Sequence, residues 1–183
     1  MSVMSVDRDR ILREAAECLG KRPTATQDEI AAAVGVSRAT LHRHFAKRGA
    51  LLEALDRLAI SQLGEAMTIS RCQEGTAAEA LQRLVAACRP VSGYLRLLYI
   101  RAQDFESDQL TEGWAEIDAQ LRQLFLRGQR SGEFRRDLPT LWLNQAFFSL
   151  VAGAGRSANT GRIARSDFTG MVTELLLRGA RSS

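Results

Sequence analysis

The chain is 183 residues long, 45% hydrophobic and 25% charged, with a formal net charge of +4. That length holds one or two small domains with a sizeable core, and so large an apolar share excludes a disordered chain. No run of ~18 apolar residues occurs, and the polar stretch from Met1 to Arg10 lacks the apolar centre of a secretion signal, so a cytoplasmic protein with no membrane partner is expected.

Only Pro23, Pro90 and Pro139 interrupt the helical periodicity, and no stretch alternates with the period of a strand. The expectation is an all-α protein of about nine helices. The first runs from about Asp7 to Gly20, with Ile11, Leu12, Ala15, Ala16, Cys18 and Leu19 inward. Thr26 with Glu29 three residues on reads as a capping box for the second, which Gly35 ends. Ser37 caps the third, Arg38 to His44, and a fourth spans about 51–66. Thr76 caps a fifth, Tyr94 to Gln103 gives a sixth, and Thr111 caps a seventh that ends at Ser131-Gly132. Pro139 opens an eighth from its first turn, and Ser166 or Asp167 caps a ninth over Phe168 to Leu177. Cys18, Cys72 and Cys88 are far apart and form no CxxC pair. They read as buried free thiols, with no metal and no cofactor expected.

The stretch from Gln27 to His44 has the layout of a helix-turn-helix. Two short helices meet across Gly35, small Ala31 sits at their crossing, and Val34, Val36 and Leu41 fill the corner. A major groove admits one helix, whose N-terminal residues reach base edges. Here that helix offers Arg38, Ala39, Thr40, His42, Arg43 and His44, opened by Ser37. Arg38 suits guanine O6 and N7, while Ala39 and the Thr40 methyl suit a thymine methyl. Thr26 and Gln27 begin a helix N-terminus, a natural phosphate site, and Lys47 and Arg48 supply positive charge on the other side. The local charge agrees with a partner of double-stranded DNA. Residues 1–50 carry nine Lys and Arg against six Asp and Glu, and residues 51–183 carry sixteen against fifteen. His42 and His44, two residues apart on a helix, point in nearly opposite directions and do not suit one metal ion.

The segment TATQDEIAAAVGVSRATLHRHFAKRGALLEAL resembles the DNA-binding domain of the TetR (tetracycline repressor) family, over about residues 7–58. GEFRRDLPTLWLNQAFFSLVAGAGR resembles, more loosely, the stretch leading into that family's eighth helix. The resemblance implies an Ω-shaped helical homodimer on a palindromic operator, with a C-terminal ligand pocket and dimer interface. It implies base or nearby phosphate contacts at Arg38, Thr40 and His44, and phosphate contacts at Thr26, Gln27 and Arg48. Arg48 stands where the family usually has Lys. Position 42 is usually an aromatic; His42 is shorter and of a type that titrates near neutral pH, which brings in pH-sensitive binding. Gly49 replaces a commoner polar residue. The chain then divides into a DNA-binding domain over 1–50, the connecting fourth helix, and a ligand-binding and dimerisation domain over 67–183.

The segment from Leu141 to Ala152 is apolar nearly all round, so it needs cover on more than one side. With the family in view, Leu143, Phe147, Leu150 and Val151, together with Phe168, Met171, Val172 and Leu175, are expected at a two-fold helical interface. Gly153 and Gly155 would permit close approach of the two chains. Tyr94, Tyr99, Arg101, Gln103, Trp114 and Trp142 are expected to line a pocket for an unidentified small-molecule effector. The sequence has no nucleophile motif, paired histidine ligands or glycine-rich phosphate loop, which sets an α-helical enzyme aside. A dimeric regulator that senses no ligand stays open as the alternative.

Overall fold

The computed structural model describes the backbone of residues 3–92, 95 and 108–180. Among these residues eight helices follow one another: α1 (Val3–Lys21), α2 (Gln27–Val34), α3 (Arg38–His44), α4 (Arg48–Ser70), α5 (Ala77–Cys88), α6 (Asp108–Ser131), α7 (Thr140–Asn159) and α8 (Phe168–Ala180). The chain is all-α, and no helix among the described residues is long and apolar enough to cross a membrane. Of the helix expected over Tyr94 to Gln103, only Leu95 is among the described residues.

Two apolar cores form. The smaller joins Ile11, Leu12, Ala15, Ala16 and Leu19 of α1 to Ile30, Ala31 and Val34 of α2 and to Leu41 and Phe45. The larger gathers α5 to α8 around Leu81, Leu84, Leu121, Phe125, Phe134, Phe147 and Val151. Helix α4 belongs to both, because Leu51, Leu52 and Leu55 point into the first core and Ala59, Leu63, Ala66 and Met67 into the second. It is longer at both ends than the expected 51–66, and its first turn takes in Arg48 and Gly49.

Two expected helix starts are shifted. Thr111 falls inside α6, which already runs from Asp108, because Asp, Gln and Leu ahead of it are all compatible with a helix and give no stop. Pro139 stands at the N-cap of α7, one residue ahead of the first turn, with φ −59° and ψ 139°. Gly155 is indeed a site of close approach, but to its own chain. A Cβ there would come within 2.5–2.7 Å of the side chain and carbonyl carbon of buried Ser92.

Polar side chains clamp the turn from α4 to α5. Arg83 donates to the carbonyls of Ser70, Arg71 and Glu74, and Arg127 donates to those of Gly75 and Cys72. The Glu133 carboxylate accepts from the amides of Ala77 and Ala78 at 3.1 and 2.9 Å, and from the Ser131 hydroxyl at 2.8 Å. Partial burial pushes the Glu133 carboxyl up, but the two amides, Ser131 and Arg127 outweigh this and hold it below its ordinary value. A lowered carboxyl contributes stability above its unfolded pKa and loses it as pH falls through the folded one. Glu133→Gln is therefore expected to cost about 1 kcal/mol at pH 7. The gap to the parent should begin to narrow in urea melts near about pH 4, where an ordinary carboxyl is protonated, and close as pH falls further through the lowered folded value. A gap that does not change with pH would show that the carboxylate charge plays no part.

Cys18, Cys72 and Cys88 are buried and free, and burial pushes the Cys88 thiol up to about 12, far from a reactive thiolate.

Candidate nucleic-acid interface

The first helix of the motif, α2, is built from its ends inward. Thr26, in extended backbone, accepts from the Glu29 amide, and the Glu29 carboxylate accepts from the Thr26 amide at 2.8 Å. The hydrogen bonds that this carboxylate accepts, first from the Thr26 amide and then from the Thr26 hydroxyl at 3.1 Å, hold the Glu29 carboxyl below its ordinary value. At the other end Gly35 takes φ +71°, the left-handed region that resists a side chain. Its amide donates to the Ala32 carbonyl at 3.2 Å, and the Val36 amide donates to that of Ala31 at 3.0 Å. A Cβ at Gly35 would meet nothing within 4 Å, so the need for glycine there is conformational.

The turn aims α3. Ser37 caps it, its Oγ accepting from the Thr40 amide at 3.1 Å and lying 2.9 Å from the Thr40 hydroxyl. Leu41 and Phe45 are sunk in the small core. That leaves Ser37, Arg38, Ala39, His42, Arg43 and Lys47 exposed, with Thr40 and His44 half-buried. The outward side of α3 is thus polar and basic, the chemistry that phosphate and base edges require.

Several expected contacts carry a second duty. Arg38 reaches Asp28 at 3.2 Å with both side chains largely exposed. Such a pair contributes about 0–1 kcal/mol, so Arg38 is readily drawn to an anion or a guanine. Arg48 donates through Nε and one terminal nitrogen to the carbonyls of Ala25 and Pro23, at 3.2 and 2.7 Å, and so pins the loop ahead of α2. Gln27 donates its amide to the Phe45 carbonyl at 3.1 Å and ties the start of α2 to the end of α3. Both residues, expected as phosphate ligands, thus brace the helix-turn-helix. Sequence reasoning missed Arg8, whose guanidinium lies 5.1 Å from the Phe45 ring centroid. Nothing in the spacing of two residues so far apart signals that contact.

The expected pocket and interface residues separate by burial. Tyr94, Tyr99, Arg101 and Gln103 lie outside the residues whose side chains are described. Trp114 is half-buried, its ring centroid 4.7 Å from that of Phe148. Trp142 is 55% exposed, beside exposed Leu141. Leu143, Phe147, Val151, Phe168 and Val172 sit in the chain's own core, whereas Met171 and Leu175 are exposed and Leu150 is half-buried. On α7 and α8 the exposed large apolar side chains are Leu141, Trp142, Met171 and Leu175, two of which the periodicity did not put at an interface.

Residues 11–55 match the family model described as bacterial regulatory proteins, tetR family. The chain is 31% identical over 182 residues to the HTH-type transcriptional regulator NfxB of Pseudomonas aeruginosa, a match covering 98% of this chain and 97% of that one. It is 27% identical over 154 residues to the HTH-type transcriptional repressor LfrR of Mycolicibacterium smegmatis, covering 84% and 80%. The crystal structure of LfrR in complex with proflavine superimposes with a TM-score of 0.78 over the whole of both chains, at 24% identity.

Proposed function

The chain belongs to the tetR family of bacterial regulatory proteins, and on that premise we propose that it acts in the cytoplasm as a homodimeric repressor of a palindromic operator, released by a small-molecule effector. It is a DNA-binding transcriptional regulator and not an enzyme. The observation that carries the DNA reading is the outward side of α3, with Arg38, Ala39, His42 and Arg43 exposed above a corner that Gly35 and Leu41 fix. In this reading α3 enters the major groove, Thr40 and His44 flank the base contacts, and Ser37, Lys47 and the α2 N-terminus at Thr26 and Gln27 meet phosphate.

The dimer reading draws on the exposed apolar side chains. Leu141 and Trp142 on α7, with Met171 and Leu175 on α8, are offered to its own copy across a two-fold axis. The effector reading draws on Trp114 against Phe148, and on Asn144, which donates to the carbonyl and carboxylate of Asp118 at 2.9 Å each. That LfrR has been solved with proflavine supports a small-molecule effector here.

The test is anisotropy titration of DNA flanking the protein's own gene at several salt concentrations. Log affinity should fall linearly with log salt and exceed that for unrelated DNA. Absence of sequence-selective binding to any of that DNA refutes the operator reading. Arg38→Ala is expected to lower discrimination at one base position by about 1–3 kcal/mol. A uniform loss over all sequences would make Arg38 a phosphate contact instead.

A further inference from the structure

Three arginines that the DNA reading leaves unused meet at one cavity. It has a volume of about 510 Å3 and opens between α1, the end of α5 and the turn from α7 to α8. Arg13 comes from α1, Arg89 from just past α5, and Arg165 from the loop before α8. Glu17 is the one acid on its described wall, leaving an excess of two positive charges.

Most other arginines of the C-terminal helices are engaged. Arg83 and Arg127 hold turn carbonyls, Arg136 holds those of Gln129 and Arg130, and Arg122, Arg135 and Arg178 pair with Asp118, Asp137 and Glu174. The side chains of Arg13, Arg89 and Arg165 make no hydrogen bond or ion pair among the described residues. Nor are they needed to cap the helix ends beside them. The Ala86 carbonyl of α5 already accepts the Arg89 amide, and the Arg156 and Ser157 carbonyls of α7 accept the amides of Thr160 and Arg162. The floor is firm. Gly155 lets α7 settle directly on Ser92, and the Ser92 hydroxyl is spent on the Arg89 carbonyl at 2.7 Å.

Like charges gathered in a cleft repel one another unless an anion joins them. Guanidinium forks match carboxylate and phosphate oxygens in pairs, and a cavity of this size lies within the usual range of ligand sites. We propose that this cleft binds a small organic anion bearing two or more carboxylate or phosphate groups, at the junction of the DNA-binding helices with the C-terminal helices. It is a second site, apart from the effector position beside Trp114.

Isothermal titration calorimetry on the full chain tests this, with citrate and pyrophosphate as separate probes at one fixed ionic strength. A saturable heat at one site per chain is expected with at least one probe. Citrate alone would mark a carboxylate ligand, and pyrophosphate alone a phosphate one. Arg89→Gln and Arg165→Ala, both exposed positions, should each weaken binding roughly tenfold or more, the worth of one charge-assisted hydrogen bond. Arg130→Ala, exposed and outside the cavity, should leave it unchanged. No saturable heat with either probe, or an equal loss in Arg130→Ala, overturns the proposal. The heats are read without DNA, so their failure leaves the operator reading standing.

Discussion

Phe45→Ala is expected to destabilise the N-terminal helices by about 3–5 kcal/mol and to abolish operator binding. Phe45 is 2% exposed and is one of the largest side chains of the small core. Its truncation removes the transfer free energy of a ring and leaves a void between α1, α3 and the start of α4. It also removes the face under the Arg8 guanidinium, worth about 0.5–1 kcal/mol at an exposed site. The Gln27 brace ends on the Phe45 carbonyl, so disorder there reaches α2 as well. A loss of this size is a large part of the 5–15 kcal/mol that an ordinary domain has in total. The larger core does not contain Phe45, so the C-terminal helices should persist. Urea unfolding followed by circular dichroism should therefore split, with an early loss of part of the helical signal. An unchanged midpoint would refute the placement of Phe45 at the centre of the reading head.

Leu175→Glu is expected to convert the dimer to monomers with little effect on the fold of each. Leu175 is 60% exposed in the single chain, and substitutions at such surface positions usually change stability by about 0.5 kcal/mol or less. In the proposed interface the same change places a carboxylate against an apolar face, and two-fold symmetry repeats it on the partner. Burying an unpaired charge costs several kcal/mol per ion. At about 4 kcal/mol in all, the dimer would weaken on the order of a thousandfold. Operator affinity should fall with it, because two reading heads would no longer bind as one body. Sedimentation velocity at micromolar concentration reads the outcome. A parent protein that is already monomeric there removes the two-fold reading. A variant that stays dimeric moves the interface away from Met171 and Leu175.

The reading head was largely legible in the sequence, because its signals are local. Thr26 with Glu29, Gly35, Ser37 and the inward Leu41 act over three or four residues, which is the reach of a cap or a helical turn. What those residues do beyond their own helix was not legible. Arg48 and Gln27 read as phosphate ligands from position alone, and only packing spends their donors on the carbonyls of Pro23, Ala25 and Phe45.

The sequence by itself determined the helices with strong periodicity, the turn at Gly35 and the polar side of α3. Each follows from backbone preference and the 3.6-residue period acting within one segment. Tertiary structure alone decided which apolar residues of α7 and α8 face inward. Leu141 to Ala152 is apolar on almost every side, so its pattern carries no direction. Only contact with α6 and α8 sends Leu143, Phe147 and Val151 into the core and leaves Leu141 and Trp142 outside. Tertiary structure also brought Arg13, Arg89 and Arg165 to one cleft from three distant segments. Charges meet there through the crossing of helices, and no rule of local spacing records such a crossing.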